Sequence, residues 1–140
     1  MKKTTIRLLV IVVATFLLLN TVSYAAIESS DYLSAYAAYI TTSGNTIKVN
    51  FDVQGTRIMD KVGATEIYLY EKTTPSGSWS LVQTYLSSDS NYYPSMIGTN
   101  TFLKMGYVTY SGSSSYQYKA YVTVYAEKDG GSDSRVIIAS

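Results

Sequence analysis

Residues 46–54 read TIKVNFDVQ, and their alternation decides the fold. In an extended chain Ile47, Val49, Phe51 and Val53 face one way, and Lys48, Asn50, Asp52 and Gln54 face the other. Successive side chains of a β-strand point to opposite faces, so this stretch is a strand with one face in a core and one in water. A helix would scatter the same apolar residues around its circumference.

Working outward, the chain repeats this theme in short segments rich in Tyr, Val, Ile and Thr, punctuated by Gly, Ser, Asn and Asp. Residues 32–40 predict a first strand, ended by TTSGN. After the strand at 46–54, residues 55–63 (GTRIMDKVG) predict a loop. A third strand covers 64–72, with Thr65, Ile67 and Leu69 opposing Glu66, Tyr68 and Tyr70. TTPSGS makes a turn into a fourth strand at 79–86. The polar stretch 87–98, containing Asn91-Tyr92-Tyr93-Pro94, predicts a crossing loop, and 101–110 a fifth strand. The longest strand, 116–127, sets Tyr116, Tyr118, Ala120, Val122, Val124 and Ala126 on one face. KDGGSD then makes a tight connection to a last strand at 134–139. Seven short strands with turn signals between them predict an all-β fold, a seven-stranded antiparallel two-sheet sandwich with a core about 10 Å thick.

The N-terminus predicts export. Lys2, Lys3 and Arg7 precede an apolar run over residues 8–19, and Ser23-Tyr24-Ala25 places small residues at the −3 and −1 positions of a cleavage site. This is the layout of a secretory signal peptide, giving residues 1–25 as the leader and 26–140 as a single secreted, extracellular domain. The apolar run is about a dozen residues, short of the roughly 20 that span a bilayer, so no membrane association is expected after cleavage. With no cysteine and no sorting motif, no covalent anchor is expected either.

Composition narrows the chemistry. The region after residue 25 holds eight basic and ten acidic residues, a net charge of −2, which cannot form the basic surface that nucleic acid requires. Cysteine and histidine are both absent, so there is no Ser-His-Asp or Cys-His pair and no zinc site of the ordinary ligand types. The fold must also hold together without disulfides. Glu66 and Glu71 share a strand but lie on opposite faces, unlike the flanking carboxylates of a glycosidase. The turn DGGSD has two carboxylates and lacks the alternating ligands of a calcium loop. No catalytic residues, cofactor or metal are therefore expected.

The stretch YQYKAYVTVYAEKDGGSDS resembles the last hairpin of a fibronectin type III-like or immunoglobulin-like domain. The resemblance implies a corner tyrosine, Tyr116 or Tyr118, whose hydroxyl bonds back to the preceding loop. Trp79 departs from the immunoglobulin pattern, in which the core Trp lies on an earlier, central strand. The combination GTRIMDKVGATEIYLYE, SGSW, VTYSG and YKAYVTVYAEKDGGSDSR is similar to a family of small, uncharacterised secreted proteins of Gram-positive bacteria, one without an assigned activity.

Two features are candidates for binding. Fourteen of the 15 tyrosines follow residue 25, and the alternation turns Tyr68, Tyr70, Tyr121 and Tyr125 outward on two strands that neighbour each other in a fibronectin-like sheet, with Lys119 beside them. Such rings suit a glycan or a protein partner, and they equally suit plain cross-strand stabilisation. The second is the segment 55–63, where Arg57, Asp60 and Lys61 alternate with Ile58, Met59 and Val62. It reads either as a binding loop or as a plug over the core, with Asp60 accepting backbone hydrogen bonds within the loop. The sequence thus predicts a secreted, non-catalytic binding module. The alternative is a structural protein that self-associates through edge strands, since residues 32–40 carry no charge to guard an edge.

Overall fold

The computed structural model describes residues 30–140. The predicted leader at 1–25 and its expected cleavage site lie outside the described residues. Among the described residues six strands follow one another: β1 (Leu33–Ser43), β2 (Thr46–Lys72), β3 (Ser80–Leu86), β4 (Ile97–Ser111), β5 (Gln117–Lys128) and β6 (Gly131–Ala139). A short helix, α1 (Tyr93–Met96), with Pro94 in its first turn, precedes β4. The fold is all-β and every strand pair is antiparallel.

The strand count differs from the seven expected, because residues 46–54 and 64–72 belong to one 27-residue strand, β2. The segment 55–63 is not a loop. Its backbone finds ladder partners, Met59 opposite Thr101, and Lys61 flanked by Thr99 of β4 and Glu127 of β5. β2 therefore organises a single six-stranded, curled sheet. Its first half lies between β1 and β4, and its second half between β5 and β3, with β6 beyond β5.

Keeping one strand in a curled sheet requires its buried face to be re-aimed. Ile47, Val49, Phe51, Val53 and Met59 are buried at odd positions, Val62 and Ala64 at even ones, and Ile67 and Leu69 at odd ones again. A register shift against β5 between Ala64 and Glu66 marks the second change. The alternation puts Thr65 on the face of Ile67 and Leu69; it is instead the residue left over at this bulge, and Ala64 takes the buried place. Gly63 sits where a Cβ would come 2.0 Å from the Met96 carbonyl oxygen, so no larger residue fits beneath α1.

The predicted inner face of β5 is observed for Tyr118, Ala120, Val122, Val124 and Ala126, which are buried, whereas Tyr116, expected on the same face, precedes the strand and is 38% exposed. Among the described residues the core contains no buried charged or uncharged polar residue. Asp129 (φ 52°) and Gly130 (φ 82°) close the β5–β6 hairpin as a two-residue turn, the Asp-Gly pair that such left-handed turns prefer. Tyr118, one of the two expected corner tyrosines, accepts from the Ser113 N–H at 2.8 Å and donates to the Ser113 carbonyl at 3.0 Å. It pins the β4–β5 connection to the start of β5.

Candidate functional site: an aromatic sheet face

The second half of β2 and its neighbours present one outer face, built by register. Tyr68 lies directly opposite Tyr121, and Tyr70 opposite Lys119. Across the other edge of β2, Tyr68 faces Thr84 and Tyr70 faces Leu81 of β3. Beyond β5, Tyr121 faces Ile138 and Thr123 faces Val136 of β6. Directly opposed residues of an antiparallel pair project to the same side. The face is thus continuous across four strands.

The rings are packed and oriented. Tyr70 and Tyr121 meet edge to face, centroids 5.6 Å apart with planes at 81°. The Lys119 ammonium stands 4.7 Å from the Trp79 ring, 5.6 Å from Tyr121 and 5.8 Å from Tyr70. Lys72 also approaches Trp79, at 4.9 Å. A cation over aromatic faces is held by the ring quadrupole, typically by about 0.5–1 kcal/mol at exposed sites, and it fixes both partners in place. Tyr68, Tyr70, Trp79 and Tyr121 are half-buried, while Val136 and Ile138 are 64% and 62% exposed and Leu81 is 51% exposed.

The structure therefore brings Tyr68, Tyr70, Tyr121 and Lys119 together as the sequence predicts. Tyr125 lies farther along β5, beyond Thr123, and its hydroxyl turns to the Glu127 carboxylate, so it borders the cluster without joining it. Sequence reasoning missed Trp79, which the turn at 73–78 returns beside Lys72, and the aliphatic contribution of Leu81, Val136 and Ile138. The signal for β6 is the apolar run V-I-I-A, which has no alternation to fix its register against β5.

The second candidate, Arg57, Asp60 and Lys61, is mostly bound up in structure. The Asp60 carboxylate accepts from the Lys128 ammonium at 2.7 Å and from the Asp129 N–H at 2.9 Å. The Lys128 hydrogen bond, then that of Asp129, holds its pKa below the usual carboxylate range. These bonds join it to the β5–β6 turn, not to its own segment as expected. Lys61 approaches Glu127 at 3.7 Å, and Arg57 remains exposed. Met59 and Val62 are fully buried as a plug requires, but Ile58 is 61% exposed. In the DGGSD turn, Asp133 accepts from the Ser134 N–H and from Arg135, while Asp129 stands exposed.

Comparison with protein-family models, curated proteins and solved structures found no match to this chain.

Proposed function

We propose that this is an exported, non-catalytic binding module that meets its partner through the outer face of β3, β2, β5 and β6. The observation that carries the reading is the gathering of Tyr70, Trp79, Lys119 and Tyr121 into one cluster beside the exposed Val136 and Ile138. Aromatic rings give large rigid contact area with polar tips, and interface cores are enriched in them. The aliphatic flank on β6 favours a protein surface over a sugar, which would use the rings alone. Export is inferred from the charged, apolar and small-residue regions of 1–25.

We infer also that the fold is a variant of the immunoglobulin and fibronectin type III class. The order β1, first half of β2, β4 follows strands A, B and E of such sandwiches, and second half of β2, β5, β6 follows C, F and G. The Tyr118 hydrogen bonds to Ser113 support the same assignment.

Replacing Tyr70 and Tyr121 together with alanine is the direct test. The two rings are half-buried on the outer face, outside the core, and cross-strand pairs are worth roughly 0.2–1 kcal/mol each, so melting is expected to shift by only a few degrees. Retention of the protein on envelope material of the cells that export it is expected to be lost. A melting temperature lower by more than about 10 °C would mean the rings serve the core instead.

A second reading, self-assembly, rests on β1. Among the described residues Leu33–Ser43 pairs only with β2, carries no charge, and leaves Tyr39 46% exposed on its outer side. Placing lysine at Ala37 would suppress concentration-dependent association if this edge assembles.

A further inference from the structure

β3 and β4 each pair with β2 along one side only. Between their other edges runs an open groove of about 670 Å³. One wall is a continuous run of β4, residues 104–110, and Gln83 and Tyr85 of β3 line the other side. Tyr85 and Tyr92, both lining it, meet edge to face, 5.2 Å between centroids. Seven consecutive strand residues span about 20 Å, so the groove runs alongside enough extended backbone for a short extended segment.

The backbone of β4 presents unused hydrogen-bonding groups to this groove. The Gly112 N–H donates to the Asn45 carbonyl at 2.8 Å, so the polar groups of Gly112 point at the β2 side. Along an antiparallel ladder that direction alternates, and the ladder between residues 103–111 and 46–54 is unbroken. Thr109, Tyr107 and Met105 therefore point away from β2. Tyr85 agrees: its hydroxyl, arriving from β3, donates to the Thr109 carbonyl at 2.7 Å. Burial pushes the Tyr85 phenol up to about 12, which keeps it protonated as that donor. Leu103 is satisfied locally by the Thr101 hydroxyl. The outward N–H and C=O of Met105 and of Tyr107 have no partner among the described residues.

This edge also lacks protection. Residues 105–110 contain neither a charge nor a proline, the usual devices that keep a free strand from pairing with a foreign one. Among the described residues Lys104 is the one charged side chain lining the groove. Its ammonium donates to the Pro94 carbonyl at 2.8 Å and forms no ion pair among those residues. The groove is therefore cationic at one end and neutral elsewhere.

We propose that this groove takes an extended acidic segment of a protein partner, which adds to the free edge of β4 as a strand and sets an Asp or Glu against Lys104. Alternate residues of the segment exchange N–H and C=O bonds with Met105 and Tyr107, while side chains between them rest on the tyrosine rings. The site is separate from the aromatic face and does not depend on it.

The test starts from a phage-displayed library of random dodecapeptides, panned against the protein, with the most enriched peptide then synthesised. Enriched sequences are expected to alternate apolar residues and to carry an Asp or Glu. Met105→Pro removes an N–H that the ladder to β2 does not use, and proline is tolerated on a solvent-facing edge. It is expected to weaken the peptide at least tenfold. Changing the peptide's acid to its amide is expected to weaken it several-fold against the unaltered protein and not against Lys104→Ala. In the unaltered protein the peptide is expected to slow hydrogen exchange at the Met105 and Tyr107 amides at least tenfold, a readout that holds even if the proline variant fails to fold. Failure of any peptide to enrich, protection elsewhere than these amides, or equal affinity for a folded Met105→Pro variant would overturn the proposal.

Discussion

Tyr118 shows how much of this molecule is settled by single side chains. Its phenol both accepts from and donates to the backbone of Ser113, and burial raises its pKa above the ordinary tyrosine value. Removing only the hydroxyl strands the Ser113 N–H and carbonyl in a partly buried corner. Leaving such groups unpaired costs about 1–3 kcal/mol, so Tyr118→Phe is expected to lower stability by roughly that amount in denaturant unfolding. Tyr121 sits three residues later on the opposite face, where its ring meets Tyr70 and faces solvent. The same residue type thus acts as a fastener at 118 and as contact surface at 121. Strand parity separates 118 from 121 in the alternation of residues 116–127, but Tyr116 shares the parity of Tyr118, and only the hydrogen bonds to Ser113 single out Tyr118 as the fastener.

At the scale of elements, β2 is where sequence and structure part company. The alternation at 46–54 and the apolar pair Ile67 and Leu69 were legible because each lies within one uninterrupted register. The segment between them was not, because its parity changes twice: Met59 is buried at an odd position, and Val62 and Ala64 at even ones. Glycines at 55 and 63 imitate loop punctuation, yet Gly63 is required by the approach of Met96, not by a turn. The Tyr68, Tyr70 and Tyr121 cluster was legible since only parity and one strand pairing were needed. Trp79, Leu81, Val136 and Ile138 were not, since their places depend on the register of two further strands.

The bent middle of β2 is also tied to the β5–β6 turn through Asp60 and Lys128. Lys128 holds the Asp60 pKa below its ordinary 3.8, and Asp60 in turn holds that of Lys128 above its ordinary 10.5. A depressed carboxylate pKa contributes stability above the unfolded value that is lost as pH falls through the folded one. A raised lysine pKa contributes stability below its unfolded value that is lost as pH rises through the folded one. The pair's contribution is therefore full between those limits and fades at both ends. In Asp60→Asn, unfolding measured across pH is expected to show a lower plateau at neutral pH and a shallower fall as pH drops through and below the ordinary carboxylate value of 3.8. Both side chains are partly exposed, so the effect is small and weakens with salt.

For the whole molecule, the curled sheet produces surfaces of different kinds. Among the described residues the core is built from apolar side chains and two tyrosines whose hydroxyls are hydrogen-bonded, and it is closed without cysteine. The face of β3, β2, β5 and β6 gathers rings, cations and exposed aliphatic side chains, while the gap between β3 and β4 leaves a backbone edge open. Both offer contact area. The proposal that a partner sits on the aromatic face is open to site-specific photo-crosslinking, which needs no knowledge of that partner's identity. A photoreactive phenylalanine would replace Ile138 on this face or, as a control, Thr46 on the outer side of the opposite half of β2. Cells exporting each variant would be irradiated and the adducts weighed. A discrete heterologous protein adduct is predicted from position 138 and none from position 46. Equal or absent adducts from the two positions, or an adduct from 138 weighing two copies of this chain, would contradict the claim.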